Sequence, residues 1–209
     1  MAQRQKSVMK KPPTKPNLKA GKPGSLRIIA GAWRGRSIET PPGDIVRPTS
    51  DRVREALFNR LAHAFEDFRL PGARVLDVFA GTGALGLEAL SRGAAQAVFL
   101  DRNPEVIALI KRNVAKLDCD DRAVIMNADG AHPPRAAVQC DLAFLDPPYG
   151  EGLVTPALNG LLLQGWLKPS ALVTVETDAS EAAPEAHGYT LVDRRPYGRV
   201  AVSILRLNS

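Results

Sequence analysis

Apolar positions along this chain follow two rhythms that alternate from about residue 71 onward. Short apolar runs at 74–79, 97–101, 123–127, 141–145 and 171–177 have the length and composition of strands buried in a parallel sheet. Between them the spacing changes to three and four. The stretch 84–91 reads as a helix closed by Gly93, and Asn103-Pro104 supplies an N-cap and a first-turn proline for a longer helix through Leu117. Residues 155–167 also have helical period. Near the end, 189–195 and 199–207 form an antiparallel pair around Pro196-Tyr197-Gly198. Seven strands alternating with helices predict an α/β fold, with a mostly parallel seven-stranded sheet, helices on both faces and a closing hairpin.

Upstream the texture differs. The run 26–31, a turn through Ala32 to Gly35 and the run 36–40 read as a small hairpin stopped by Pro41-Pro42-Gly43. A loop at Arg47-Pro48-Thr49-Ser50 follows, and Thr49, Ser50 and Asp51 are candidate N-caps for a helix to about Ala64, with Val53, Ala56, Leu57, Leu61 and Ala64 on one face. The expected organisation is a disordered basic tail at 1–25, an N-terminal hairpin and helix at 26–70, and a sheet domain at 71–209. The 209 residues carry a formal charge of +6, and the tail concentrates it. Arg4, Lys6, Lys10, Lys11, Lys15, Lys19 and Lys22 precede any acid, so the remainder is close to neutral. Such a tail either adds phosphate attraction or only solubilises.

Composition excludes several classes. No apolar run is long enough to span a bilayer and no secretory signal is visible, so a cytoplasmic protein without membrane contact is expected. Cys119 and Cys140, with His63, His132 and His187, lack metal-ligand spacing and read as packing or surface residues; no metal is expected.

Chemistry enters at the end of the first predicted strand. Gly81, Gly83 and Gly86 satisfy the G-x-G-x-x-G pattern between strand and helix, beside Phe79, and Asp101 follows at the tip of the next strand, placed to accept from ribose hydroxyls. This loop serves a nicotinamide dinucleotide or an S-adenosyl cofactor. Asp77 favours the second, because a carboxylate there attracts an ammonium group and repels a pyrophosphate. Asp129, after the third strand, is placed to accept from an adenine amine. With Asp146 after the fourth, four successive strands end in carboxylates, and no hydride-handling residue is evident.

Asp146-Pro147-Pro148-Tyr149 is the most pointed feature. Each proline fixes its φ and lacks an N–H, so the Pro147 carbonyl is freed from a ladder, and the adjacent carboxylate adds acceptors only. Together they can hold both hydrogens of a planar –NH2 while Tyr149 offers a ring for stacking.

These segments together resemble class I S-adenosylmethionine-dependent methyltransferases of the amino-methylating type. Arg27-Ile28-Ile29-Ala30-Gly31, Arg34-Gly35-Arg36, Arg47-Pro48-Thr49, 52–59 and 79–90 are similar to the bacterial RsmD-type family, over about residues 26–207. That resemblance implies a Rossmann-like methyltransferase fold, S-adenosyl-L-methionine as cofactor, and methylation of a guanine N2 amine in 16S ribosomal RNA, within the small subunit or an assembly intermediate. A monomer is expected. It assigns Asp146, Pro147, Pro148 and Tyr149 to catalysis, Asp77, Phe79, Gly81, Gly83, Asp101 and Asp129 to the cofactor. Trp33, Arg34, Arg36 and Arg47 are assigned to RNA, Trp33 having the alternative of a packing residue. The tail before Leu26 departs from the family pattern. Three other readings stay open: an adenine-N6 methyltransferase on DNA or RNA, a glutamine-amide methyltransferase, against which Asp146 counts because that pattern begins with Asn, and a catalytically silent RNA-binding assembly factor.

Overall fold

The computed structural model describes residues 25–41 and 50–208. The basic tail and Arg47 lie outside the described residues. β3 (Arg74–Asp77), β4 (Gln96–Asp101) and β5 (Ala123–Asn127) run outward in parallel from the centre of the sheet. The chain then returns to the other side of β3 with β6 (Cys140–Leu145) and β7 (Leu167–Asp178), both parallel to it. β8 (Tyr189–Tyr197) and β9 (Val200–Leu207) close the sheet as an antiparallel hairpin, giving the order β5-β4-β3-β6-β7-β9-β8. The reversal between β3 and β6 opens a crevice at the carboxyl ends of the strands, where a doubly wound sheet binds its ligand.

Alternation along the strands divides the core. Val75, Phe99, Leu142, Phe144 and Leu172 pack on the face that carries α1 (Asp51–His63), α2 (Ala84–Ser91) and α3 (Pro104–Leu117), whereas Leu76, Val98, Ala143, Leu145 and Val175 pack toward α4 (Val154–Leu163). Helix α4 stops earlier than the expected 167. Gly165, at φ 73°, lets the chain turn so that its N–H donates to Leu162 O and that of Trp166 to Leu161 O, a Schellman closure that releases Trp166 into the core and starts β7 at Leu167.

The hairpin of β1 (Ser25–Arg27) and β2 (Ser37–Glu39) is bolted to the helices rather than to the sheet. Glu88, fully buried in the last turn of α2, accepts from the Ile29 N–H at 2.7 Å, the Ala30 N–H at 3.0 Å and Arg92 Nε at 2.6 Å. Ser91 donates to Ala30 O and accepts from the Trp33 N–H. At Gly31 a Cβ would stand 1.9 Å from Ser91 O, so backbone meets backbone there and only glycine fits. From α3, the buried Asn113 amide spans the Glu39 N–H, Glu39 O and Thr82 O, tying β2 to the glycine loop.

A carboxylate at a helix C-terminus is disfavoured by the macrodipole, so Glu88 persists through its partners, which include buried Arg54 at 3.9 Å. Replacing Glu88 with Ala strands two arginines and two backbone donors. The expected loss is about 3–5 kcal/mol, read as a fall in Tm of roughly 10 °C or more in a thermal melt; an unchanged Tm would remove Glu88 from this anchoring role.

Candidate functional site

The first helix of the sheet domain has no side-chain cap of its own, because Gly83 stands at its N-cap with φ 77°. Asp77 substitutes for one. From the end of β3 its Oδ2 accepts the Gly86 N–H at 3.0 Å, an orphan donor of the first turn. Gly86 itself lies against Phe99, whose ring would be 2.3 Å from an added Cβ, so the third glycine allows helix to approach strand. Ionisation of Asp77 is opposed where it sits. Burial pushes its carboxyl up from an ordinary value of 3.8 to about 7, the Gly86 N–H pulls it down, and the negative charge of Asp101 pushes it up again.

Asp101 holds the loop from its other side. Its Oδ2 accepts the Gly81 N–H at 3.1 Å and its Oδ1 the Asn103 N–H at 2.8 Å, which leaves lone pairs directed at the crevice. Asp129 accepts from the Ala131 N–H and meets His132 Nδ1 at 2.9 Å; those two contacts, His132 first, hold its carboxyl below the usual carboxylate range. The close approach of this segment to β3 depends on Gly130, where a Cβ would meet Val78 O at 2.7 Å and the Phe79 ring at 2.8 Å.

One cavity of about 640 Å³ gathers these groups. Asp77, Phe79, Gly81, Asp101 and Asp129 line one end; Asp146, Pro147, Pro148 and Tyr149 line the other. Gly83 lies one residue below the wall, as the cap that turns the loop into α2. Tyr149 is oriented by its hydroxyl, which donates to Glu176 Oε1 at 2.7 Å. A cavity of this size has room for an organic ligand of ordinary cofactor dimensions.

The residues expected to meet RNA are placed elsewhere. Trp33 is 9% exposed and its ring is covered by the Arg122 guanidinium at 5.0 Å, the arrangement of a packing residue. Arg34 and Arg36 are exposed on the hairpin, Arg36 bonding to Lys116 O. None of the three lines the cavity. The hairpin turn docks at the far end of α2, about 12 Å of helix from the glycine loop. Among the described residues no group of acidic, Cys and His side chains could hold a metal ion, and no helix is long and apolar enough to cross a membrane.

Ser50, Val53, Glu176, Tyr197 and Arg199 also line the cavity, and none was assigned to the site from sequence. For Glu176 a signal existed, since the run 171–177 carries an acid at its penultimate position, near its end like the acids of the four strands before it. Tyr197 and Arg199 carried none: only the β8–β9 pairing brings that turn to α1.

Residues 26–206 match the family described as "Conserved hypothetical protein 95". The "Ribosomal RNA small subunit methyltransferase D" of Escherichia coli (strain K12) is 40% identical over 161 residues, which span 77% of this chain and 79% of that protein. Its namesake in Haemophilus influenzae is 38% identical over 182 residues, 85% of this chain and 92% of the other. The solved structure of yhhF from Escherichia coli is 34% identical, with a TM-score of 0.76 over 88% of this chain and 99% of that one. Identity at this level over most of both chains, with the family match across residues 26–206, means that the chain belongs to the RsmD-type family its motifs resemble.

Proposed function

We propose that this chain transfers a methyl group from S-adenosyl-L-methionine to the exocyclic N2 amine of a guanine in 16S ribosomal RNA. The observation that carries the reading is the position of Asp146-Pro147-Pro148-Tyr149: it forms one end of the crevice cavity whose other end is a glycine loop flanked by Asp77, Asp101 and Asp129. Membership of a family whose curated relatives bear a small-subunit rRNA methyltransferase name supplies the substrate class.

The residues present fit the cofactor. Asp77 matches an ammonium, Asp101 a pair of ribose hydroxyls, and Phe79 with Asp129 an adenine ring and its amine. When bound, the cofactor supplies an electrophilic methyl on a sulfonium. The chain supplies orientation and charge. Asp146 and the Pro147 carbonyl accept the two hydrogens of the base amine, which favours a pyramidal nitrogen and exposes its lone pair for in-line attack. Methyl transfer would place positive charge on that nitrogen, and the Asp146 carboxylate beside it would stabilise the charge as it develops. The proton leaves the cationic nitrogen after transfer, so no strong base is required beforehand. Tyr149 stacks on the base, which must be splayed out because a paired amine is out of reach.

Asp146→Ala is expected to lower methyl transfer to undermethylated small subunits by about a thousandfold, while calorimetric affinity for S-adenosylmethionine stays within a few-fold. Tritiated-methyl transfer followed by nucleoside mass spectrometry reads both the rate and the methylated base, and N6-methyladenine instead of N2-methylguanine would overturn the assignment.

The Asp77 carboxyl gives a pH dependence. Near pH 6 it is protonated in the free protein and ionises as pH rises through about 7. An ammonium partner needs the carboxylate, so cofactor affinity should rise about tenfold per pH unit below that point and level off above it. The sign for stability is opposite. A carboxyl raised in the fold contributes stability below its unfolded value of 3.8 and loses it as pH rises through about 7, so the thermal shift given by cofactor should be larger at pH near 8 than near 6. Proton release on binding, measured in buffers of different ionisation enthalpy, should vanish in Asp77→Asn.

A further inference from the structure

The fifth carboxylate of the sheet edge has no part in the reaction as described. Glu176 lies on β7, next to β6, and the two parallel strands pair Leu145 with Val175. Continued one residue beyond the end of β6, that register sets Asp146 beside Glu176, at a strand spacing of about 4.8 Å. Both continue the face that Phe144 and Leu172 occupy in the core, so their side chains leave the sheet on the same side. Glu176 is 8% exposed, yet it lines the cavity at the end formed by Asp146, Pro147 and Tyr149. Its Oε1 accepts from the Tyr149 hydroxyl, which orients the carboxylate, a group that can accept several hydrogen bonds at once.

We propose that Glu176 is the specificity determinant of this site, accepting the ring N1–H of guanine while Asp146 holds the adjacent N2 amine. The inference rests on the amine-holding role given to Asp146 above. Guanine presents two adjacent donors on its Watson–Crick edge, N1–H and N2–H. Two side-by-side carboxylates offer acceptors to match. Adenine and cytosine present an amine next to a bare ring nitrogen, and against Glu176 that lone pair meets another acceptor. A buried site built to receive a donor rejects a base lacking it, because the lone pair of the bare ring nitrogen would then face a carboxylate oxygen across a desolvated contact with no proton between them.

The test uses the full-length protein and small subunits reconstituted on 16S RNA in which the mapped target guanine is kept or replaced by 2-aminopurine. That analogue retains the N2 amine but has a bare N1. The unaltered protein should prefer guanine by about a thousandfold in kcat/KM. Glu176→Gln should reduce the preference to within about tenfold, because its amide accepts from N1–H through oxygen and donates to a bare N1 through nitrogen. Tyr149→Phe removes the hydroxyl bond but keeps the carboxylate, so the guanine preference should persist whatever happens to the rate; this separates base reading from support of Tyr149. Guanine methylation with equal use of 2-aminopurine by the unaltered protein, or an undiminished preference in Glu176→Gln, would overturn the inference and leave the proposed reaction standing. Failure of the unaltered protein to form N2-methylguanine would overturn the reaction, and this inference with it.

Discussion

Helix α2 is held at both ends by buried carboxylates that come from outside its own hydrogen-bonding ladder or that act beyond it. At the first turn Asp77 accepts the Gly86 N–H; in the last turn Glu88 collects Ile29, Ala30 and Arg92. An eight-residue helix is too short to be stable by itself, and one with glycine at its N-cap is weaker still. Its position is therefore set by those two clamps and by apolar packing. The glycine loop precedes it directly, so the clamp that orients α2 also shapes the crevice. The N-terminal hairpin seats on the opposite end through Gly31 and Ser91, and Asn113 connects its second strand back to Thr82 of the loop. Hairpin, helix and loop thus behave as one mechanical unit, in which loss of the hairpin's seat would reach the cavity.

The crevice concentrates negative charge in a chain whose net charge is +6. Asp77, Asp101, Asp129, Asp146 and Glu176 all border it. Burial raises the Asp77 carboxyl to about 7, and the negative charge of Asp101 adds to that rise. A site of this kind gains most from a ligand that brings positive charge and hydrogen-bond donors, and least from a phosphate. Arg34 and Arg36 lie apart from the crevice on the exposed hairpin, while Arg102 and Arg199 line the cavity itself.

Much of this was legible in the sequence where local signals were strong. Asn103-Pro104 and Gly93 set the bounds of α3 and α2 because capping chemistry is written in adjacent residues. The strand-end carboxylates could be read because an acid lies at or within two residues of the end of each apolar run. Gly165 was a local signal too, but the helical period of the residues around it extended past the true end of α4. Trp33 marks a different limit. An aromatic among arginines has the same composition whether it faces solvent or core, and only the contact with Arg122 decides. Asp77 was read as a charge facing a ligand, which missed its capping bond to Gly86 nine residues later, because that bond depends on how the helix folds back over the strand. Tyr197 and Arg199 reach the cavity through pairing with a strand that closes the sheet, a long-range fact without local trace.

The Asp-Pro-Pro-Tyr turn shows why such contacts matter to chemistry. Two prolines fix the backbone, but rigidity alone leaves the Tyr149 ring free to swing about its side-chain bonds. The hydroxyl bond to Glu176 removes that freedom by linking the turn to the next strand, so the ring that would stack on a base is positioned from the sheet itself. In the proposed reaction, a carboxylate that orients the Tyr149 ring and stands beside Asp146 would couple two requirements in one residue: the base would lie flat on Tyr149 and present a donor toward β7. Substrate choice would then depend on the register between β6 and β7, where Leu145 pairs with Val175, as much as on the four-residue motif. A one-residue slip in that register would point Glu176 at the opposite face and leave the motif intact without that neighbour.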